Sequence, residues 1–241
     1  MTYQAVVLGY TPLVYYRNKE TSGTSAADTS GNSRSGTYTD NYTLNQTDSP
    51  ITSDAAARSI LYDGSDAYIA NTYNPFVNGT NRTFHGWAKR TDQSNFHAFF
   101  GGASASTSPA LFCDNGGGTI FWSPDMSAGQ LSFDNGWPND GAWHSWMLTF
   151  NATSFDVIMY IDGVKNGATK NSTFAYNTGT GPGGWQVSGR GTFQYVWKGK
   201  IAEPWVANGL LVAADAAALH SAASTGGPGG GVLTSSGFWV R

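Results

Sequence analysis

The 241-residue sequence has few of the residues that cross-link, charge or anchor a protein. Its one cysteine, Cys113, cannot form a disulfide within the chain. Charged residues make up only 12%, and the longest basic run is Lys89-Arg90, which excludes the basic surface that nucleic-acid binding requires. No apolar run approaches the ~20 residues of a membrane-spanning helix, and the segment after Met1 lacks the pattern of a signal peptide. We therefore expect neither a nucleic-acid partner, nor a membrane partner, nor export by a leader.

Aromatic residues are plentiful by contrast, at 14% of the chain, within a hydrophobic total of 40% that can build a sizeable core. Short stretches rich in β-branched and aromatic residues recur between clusters of Gly, Asn, Asp and Ser, at the ~8–12-residue spacing of an all-β sandwich or barrel. The predicted strands span 13–17, 58–62, 67–70, 82–90, 96–100, 109–113, 119–123, 130–134, 143–150, 156–161, 186–189 and 195–206.

Strand 143–150 shows the sharpest alternation, which places Trp146, Leu148 and Phe150 on one face and predicts them in the core. The next strand ends at Asp162-Gly163, a pair typical of tight hairpins. We expect strands 143–150 and 156–161 to be antiparallel neighbours. By the same reasoning Asp63-Gly64 predicts a hairpin between strands 58–62 and 67–70, so the sheet should be antiparallel throughout.

Only one segment predicts a helix, the alanine-rich stretch 212–222. The Gly-rich stretch after it cannot hold regular structure. The sequence divides into three predicted parts, a domain over 1–224, a linker over 225–231 and an apolar tail over 232–241. We expect Phe238, Trp239 and Val240 of the tail to dock onto a partner protein, by adding a strand to its sheet edge.

Seven short motifs follow one another over nearly the whole of 10–224. They are Leu13-Val14-Tyr15-Tyr16-Arg17, Asp28-Thr29-Ser30-Gly31-Asn32, Leu61-Tyr62-Asp63-Gly64, Phe84-His85-Gly86-Trp87-Ala88-Lys89, Trp143-His144, Tyr160-Ile161-Asp162-Gly163 and Gly199-Lys200-Ile201-Ala202-Glu203. Their order resembles the laminin-G-like, concanavalin-A-like jelly-roll family, in its bacterial and phage branch. The resemblance implies an all-β, two-sheet antiparallel jelly-roll sandwich with one short C-terminal helix. It also implies a concave side that binds carbohydrate in many relatives.

Catalysis is not supported by the acidic and nucleophilic residues of the sequence. Glycanases of this superfamily need two neighbouring carboxylates, but Glu20 and Glu203 lie near opposite ends of the chain and no predicted strand carries a suitable Asp pair. A Gly-x-Ser-x-Gly elbow is missing, and Cys113 is expected to be a small buried hydrophobe. We predict a protein that is not an enzyme.

Carbohydrate recognition uses aromatic rings against sugar faces, with amides and carboxylates bonding the hydroxyls. Three tryptophans lie beside Gly and Pro residues that indicate loops, where a large ring is less easily buried, and are the candidate ring contacts: Trp122, Trp137 and Trp185. The nearest polar partners are Asp114, Asn115, Asp134 and Asn135. The alternative for these four residues is that they only cap loops.

Calcium is the one metal that the resemblance implies. Many relatives hold it between the Asp-x-Ser-Gly-Asn turn and the Gly-x-Ile-Asp-Glu segment, which makes Asp28, Asn32 and Glu203 the candidate ligands. The Asp of the second segment is replaced here by Ala202. The alternative is that Asp28 and Asn32 cap a tight turn.

The favoured function is a non-enzymatic structural protein of a phage virion, either a minor tail or a capsid decoration protein. Its expected partners are other virion proteins and host cell-surface glycans, on the surface of a symmetric particle or in a homo-oligomer. The alternative is a carbohydrate-binding lectin module of a bacterial surface protein. A polysaccharide-degrading enzyme comes third.

Overall fold

The computed structural model describes residues 2–77, 79–103, 109–116, 118–125, 129–172, 184–189, 195–225, 232–233 and 239–240. The strands, in chain order, are β1 (Pro12–Tyr15), β2 (Ser25–Ala26), β3 (Gly36–Thr39), β4 (Tyr42–Gln46), β5 (Ser59–Asp63), β6 (Tyr68–Asn71), β7 (Arg82–Arg90), β8 (His97–Gly102), β9 (Ala110–Cys113), β10 (Ile120–Asp125), β11 (Gly129–Ser132), β12 (His144–Phe150), β13 (Asp156–Ile161), β14 (Val164–Lys165), β15 (Lys170–Asn171), β16 (Trp185–Val187), β17 (Lys198–Asn208), β18 (Val232–Leu233) and β19 (Trp239–Val240). The helices are α1 (Tyr3–Gly9) and α2 (Ala213–Thr225).

Two large sheets form the body of the molecule. The nine-stranded sheet has the order β14-β13-β12-β7-β17-β5-β4, with β1 also paired to β17 and β15 to β13. The eight-stranded sheet has the order β11-β10-β9-β8-β16-β6-β3-β2. Every strand pairing in the described residues is antiparallel. The predicted all-β antiparallel sandwich is confirmed.

The main core lies between the two sheets and is largely aromatic. Trp146, Leu148 and Phe150 point into it and are at most 1% exposed, as their alternation predicts. Met147, on the other face of β12, is equally buried because a second apolar layer covers the outer face of the nine-stranded sheet. This sheet is therefore apolar on both faces.

Both helices form that second layer. α2 confirms the predicted C-terminal helix and runs three residues further than expected. α1 was not predicted: the Oγ1 of Thr2 caps it by accepting a hydrogen bond from the Ala5 amide, and Tyr3 and Val7 are fully buried. No helix in the described part of the chain has the length and apolarity to cross a membrane.

Of the two predicted hairpins, one is confirmed and one is wrong. β12 and β13 are antiparallel neighbours, and β13 turns into β14 through Asp162 and Gly163, whose φ angles of 51° and 77° fit the tight turn. Asp63-Gly64 instead carries the chain from one sheet to the other, because β5 pairs with β17 and β4 while β6 pairs with β16 and β3.

A buried ionic network ties β1, β17 and α1 together. Glu203 is fully buried at a bulge of β17 and has a positive φ of 52°. Its carboxylate accepts hydrogen bonds from the Tyr15 hydroxyl and from Arg17, at 3.3 Å from Arg17 Nη2. Arg17 also donates to Asp54 and Gln4, both at 2.6 Å. Burial raises the pKa of Glu203, while the charge of Arg17 opposes the rise.

The C-terminal segment contains a small separate sheet. β18 pairs only with β19 among the described residues. Trp239 and Val240 of the predicted docking tail lie in β19, whereas Phe238 and linker residues 226–231 lie outside the described residues.

Candidate functional site

The outer face of the eight-stranded sheet carries an aromatic cluster that the helices do not cover. Phe112 of β9 lies directly opposite Phe121 of β10. Because side chains alternate along a strand, their neighbours Leu111 and Trp122 point into the core while these two phenylalanines point outward. The outer face of the eight-stranded sheet is therefore apolar at this end.

Three rings of this cluster, those of Tyr195, Phe112 and Phe121, stand face to face and are called the aromatic stack below. The centroid of Phe112 lies 5.3 Å from that of Tyr195 and 5.4 Å from that of Phe121, with interplanar angles of 27° and 22°. Both faces of the Phe112 ring are thus covered, and this residue is only 1% exposed. The ring of Phe112 is therefore closed to a ligand.

A pocket of about 230 Å³ lies at the Tyr195 end of the aromatic stack. Phe96 is its most exposed aromatic residue, at 36%, and its ring lies 5.1 Å from that of Tyr195 at an angle of 48°. The lining residues are Gly64, Ser65, Asn95, Phe96, Tyr195 and Val196. We call this the Phe96 pocket. It combines two aromatic rings with an amide and a hydroxyl.

One wall of the Phe96 pocket is held by a buried arginine. Arg90 is 3% exposed, and its Nη2 donates to the carbonyl oxygens of Asn95 at 3.1 Å and Asp114 at 2.6 Å. Its Nη1 donates to the Oδ1 of Asn139 at 3.1 Å. One guanidinium therefore fixes three loops at the pocket's base, and the Asn95–Phe96 backbone has a fixed position.

The opposite wall is the turn that follows β5. The Oδ1 of Asp63 accepts hydrogen bonds from the amides of Ser65 at 2.9 Å and Asp66 at 3.3 Å, an arrangement that stabilises the turn. Beneath it Lys198 forms an ion pair with Asp92 at 2.8 Å, and this hydrogen bond holds the pKa of Asp92 well below its usual range. Both carboxylates beside the pocket therefore have partners in the protein.

The three tryptophans proposed as exposed ring contacts are buried, so that expectation is wrong. Trp122, Trp137 and Trp185 are 0%, 2% and 0% exposed. Trp122 and Trp185 occupy inward positions of β10 and β16. Trp137 follows its loop back into the core, where it packs edge-on against Phe99 at 4.8 Å. The loop prediction is right for Trp137 and wrong for Trp122, since Pro124 continues strand β10, and a ring of this size is buried where the core offers room.

The four polar candidates separate into two places. Asp114 and Asn115 lie on a loop that Arg90 ties to Asn95, next to the Phe96 pocket. Asp134 accepts from the Ala168 amide and pairs with Lys170, and the Asn135 amide donates to Asn166. These last contacts are those of loop capping, the alternative considered for them.

The three calcium candidates do not converge. Asp28 accepts hydrogen bonds from the amides of Tyr15, Ser30 and Arg34 at 2.8–3.0 Å, so its oxygens cap the turn. Asn32 donates to the carbonyl oxygen of Pro12 at 3.0 Å. Glu203 accepts from the hydroxyl of Tyr15, whereas Asp28 accepts from the backbone amide of the same residue, so the two carboxylates lie at opposite ends of Tyr15. The described residues contain no group of three or more His, Cys, Asp or Glu side chains arranged to hold a metal ion.

A serine, a histidine and an aspartate meet beside α2 without forming a catalytic triad. The Oγ of Ser145 lies 3.0 Å from the Nδ1 of His220, and the Oδ1 of Asp162 lies 3.7 Å from that same nitrogen. A triad needs the serine and the aspartate on different ring nitrogens. Ser145 is also 3% exposed, so a substrate cannot reach it.

His144, the residue before Ser145, contacts two carboxylates, one at each ring nitrogen. Its Nδ1 lies 2.7 Å from Asp162 and its Nε2 3.0 Å from Asp140. Both nitrogens must donate, which requires the imidazolium form. Burial disfavours that charge, but hydrogen bonds to Asp162 and Asp140 outweigh burial and raise the pKa of His144.

The residues of the Phe96 pocket were not singled out from the sequence. The sequence carries a signal only for Phe112 and Phe121 of the aromatic stack, because the predicted strands 109–113 and 119–123 are apolar at consecutive positions rather than at alternate ones. Such runs indicate that both faces of a strand are apolar.

Comparison with known families gives one match that covers more than half of the chain. The model described as "Concanavalin A-like lectin/glucanases superfamily" matches residues 63–217. Among curated proteins, no sequence matches significantly.

Several solved structures share the fold at low sequence identity. Domain 4 of AbnA, an extracellular arabinanase of Geobacillus stearothermophilus solved with arabinotriose, has a TM-score of 0.63 and 17% identity over 87% of this chain and 98% of that chain. The botulinum neurotoxin serotype D binding domain has a TM-score of 0.62 and 16% identity over 91% of this chain. A serotype D ligand-binding domain in complex with N-acetylneuraminic acid has a TM-score of 0.64 and 15% identity over 91% of this chain. The chain spans about half (52%) of the length of both neurotoxin structures.

Proposed function

The chain belongs to the concanavalin A-like lectin/glucanase superfamily, and from this premise we propose that it is a carbohydrate-binding module without catalytic activity. The observation that carries the proposal is the Phe96 pocket, where Phe96 is 36% exposed and its ring lies beside that of Tyr195. Sugar rings pack their apolar faces on aromatic rings and bond their hydroxyls to amides and hydroxyls. Phe96 and Tyr195 supply the rings, and Asn95 and Ser65 supply the polar groups.

Two structures of the same fold support a carbohydrate ligand. The arabinanase domain was solved with arabinotriose and a neurotoxin domain with N-acetylneuraminic acid. These are properties of those proteins, and they motivate the class of ligand to test.

The absence of catalysis is proposed from the surroundings of the pocket. Glycoside hydrolysis needs two carboxyl groups flanking the scissile bond. The described lining residues include no Asp or Glu, and the neighbouring carboxylates of Asp63 and Asp92 are engaged by a turn and by Lys198. A glycan bound here meets no acid and nucleophile pair among those residues.

For the biological setting we propose a phage virion, as a minor tail or capsid decoration protein that contacts host-surface glycans and other virion proteins. The bacterial and phage resemblance of the sequence motivates this setting, with the C-terminal segment of β18 and β19 as the docking element. Deleting residues 226–241 should abolish incorporation into particles and leave the melting temperature unchanged. Unaltered incorporation would remove the docking role and favour a lectin module of a bacterial surface protein.

The site itself is tested by Phe96→Ala on a glycan array, followed by calorimetry on each hit. Loss of one aromatic contact should weaken binding about tenfold, since such contacts are worth ~1 kcal/mol or more. Leu210→Ala is the matched control, because Leu210 is 37% exposed and Phe96 36%. Equal binding by both variants would place the ligand elsewhere, and an array without hits would refute the proposed function.

A further inference from the structure

We infer that the Phe96 pocket takes a single uncharged sugar residue of a glycan. This inference rests on the proposed function and names its ligand class. It follows from the size of the pocket, from the charges around it and from the polar groups that it offers.

The size of the Phe96 pocket limits the ligand to about one ring. Its volume of about 230 Å³ lies below the ~300–1,000 Å³ typical of sites for drug-sized molecules. The wall at Gly64 packs closely on the side chain of Lys198: a Cβ on Gly64 would lie 2.6 Å from the Cβ of Lys198. The opposite wall at Asn95 is fixed by Arg90. A second ring of the glycan would therefore extend out of the pocket.

The charges near the Phe96 pocket disfavour an acidic sugar. Lys198 is already paired with Asp92 at 2.8 Å, and Arg90 is buried with its terminal nitrogens bonded to three loops. The described lining of the pocket includes no cation, and Lys198 could pair with a carboxylate or phosphate of a ligand only in competition with Asp92. The described lining offers no charge of its own, and an anion that enters without a partner loses its hydration at a large cost.

The polar groups that remain suit hydroxyls. The side chains of Asn95 and Ser65 make no hydrogen bond to any described residue, although both line the pocket. An amide and a hydroxyl each donate and accept, as a sugar hydroxyl does. Because the backbone of Asn95 is already fixed, only the rotamers of its side chain remain to be ordered when the amide binds.

The test compares neutral and acidic sugars on the full chain. Methyl glycosides of glucose, galactose and mannose are measured beside glucuronic acid and N-acetylneuraminic acid, by saturation-transfer NMR and calorimetry. We expect at least one neutral glycoside to bind at least tenfold more tightly than every acidic sugar, with an affinity insensitive to salt. We also expect Phe96→Ala to weaken this binding about tenfold.

A second test adds a positive charge at the rim of the Phe96 pocket. Ser65→Arg places a cation at the rim, where Ser65 is exposed, and should raise the affinity for glucuronic acid at least fivefold relative to the neutral sugars. Ser224→Arg, on α2, is the matched control and should change neither. Tighter, Phe96-dependent binding of an acidic sugar by the unmodified chain would overturn the inference and leave the proposed function standing. Binding of no sugar in either class would overturn both.

Discussion

The buried network around Glu203 gives a prediction whose sign can be worked out. Arg17→Met removes the guanidinium and leaves the fully buried carboxylate with the Tyr15 hydroxyl as its remaining partner among the contacts described above. Removing one member of a buried ion pair costs ~3–5 kcal/mol. For a chain of this length the melting temperature should fall by about 6–20 °C, at ~2–4 °C per kcal/mol.

Glu203→Gln should be milder than Arg17→Met. Arg17 keeps its bonds to Asp54 and Gln4, both at 2.6 Å, and the amide oxygen of the new glutamine can still accept from the Tyr15 hydroxyl. The loss should be about 1–3 kcal/mol, the value of a hydrogen bond to a charged group. In the Arg17→Met background the same change removes an uncompensated charge, so the double variant should be more stable than Arg17→Met alone.

Urea and thermal unfolding followed by tryptophan fluorescence measure all four proteins. A carboxyl whose pKa is raised in the folded state is destabilising above that pKa, and the penalty disappears below the ordinary value of ~4.3. Since loss of Arg17 raises the pKa of Glu203 further, the deficit of Arg17→Met should shrink as the pH falls. The reasoning would be refuted if the losses in free energy of unfolding were additive in the double variant and the loss in Arg17→Met did not depend on pH.

Three further predictions concern single positions. The raised pKa of His144 implies that its two aspartate partners stabilise the fold below the ordinary histidine pKa of ~6.5, and that this stability is lost as the pH rises through the raised pKa. His144→Gln should therefore flatten the dependence of melting temperature on pH. An unchanged profile would contradict this. Gly184→Ala should lower the free energy of unfolding by about 3 kcal/mol, because the φ of Gly184 is 130° and a Cβ there would lie 1.6 Å from the carbonyl oxygen of Asn71. Gly189→Ala is the control: its Cβ would have its nearest neighbour at 3.4 Å, so it should be nearly neutral in the same urea titration. Burial raises the pKa of Cys113 to about 12, so its thiol should react with a disulfide reagent only in denaturant; stoichiometric labelling of the folded protein would show that the site is open.

Much of the fold follows from the local sequence. The alternation in β12 predicts its core face, and Asp162-Gly163 predicts the tight turn that ends β13, because both signals depend only on neighbouring residues. Asp63-Gly64 has the same turn chemistry but leads into the other sheet. An Asp-Gly pair predicts a turn of the local backbone, but it does not predict which sheet the next strand joins.

The site was less accessible to sequence reasoning. Gly and Pro next to Trp137 indicate a turn, but whether its ring points outward depends on distant residues such as Phe99. Phe96 and Tyr195 lie far apart in the chain, and only the pairing of the β8 region with the segment before β17 brings their rings to 5.1 Å. Such a contact is set by tertiary structure and has no local signature.

The central position of β17 has a consequence for how the molecule forms. This strand pairs with β7, β5 and β1 in the middle of the nine-stranded sheet, yet it is the last long strand in the part of the chain that the structure describes. During synthesis the edges of β7 and β5 that pair with β17 remain without their partner until about two hundred residues have been made. Contacts between such distant segments slow folding and expose strand edges to other chains. The nascent protein is therefore expected to depend on chaperones until residue 208 has left the ribosome.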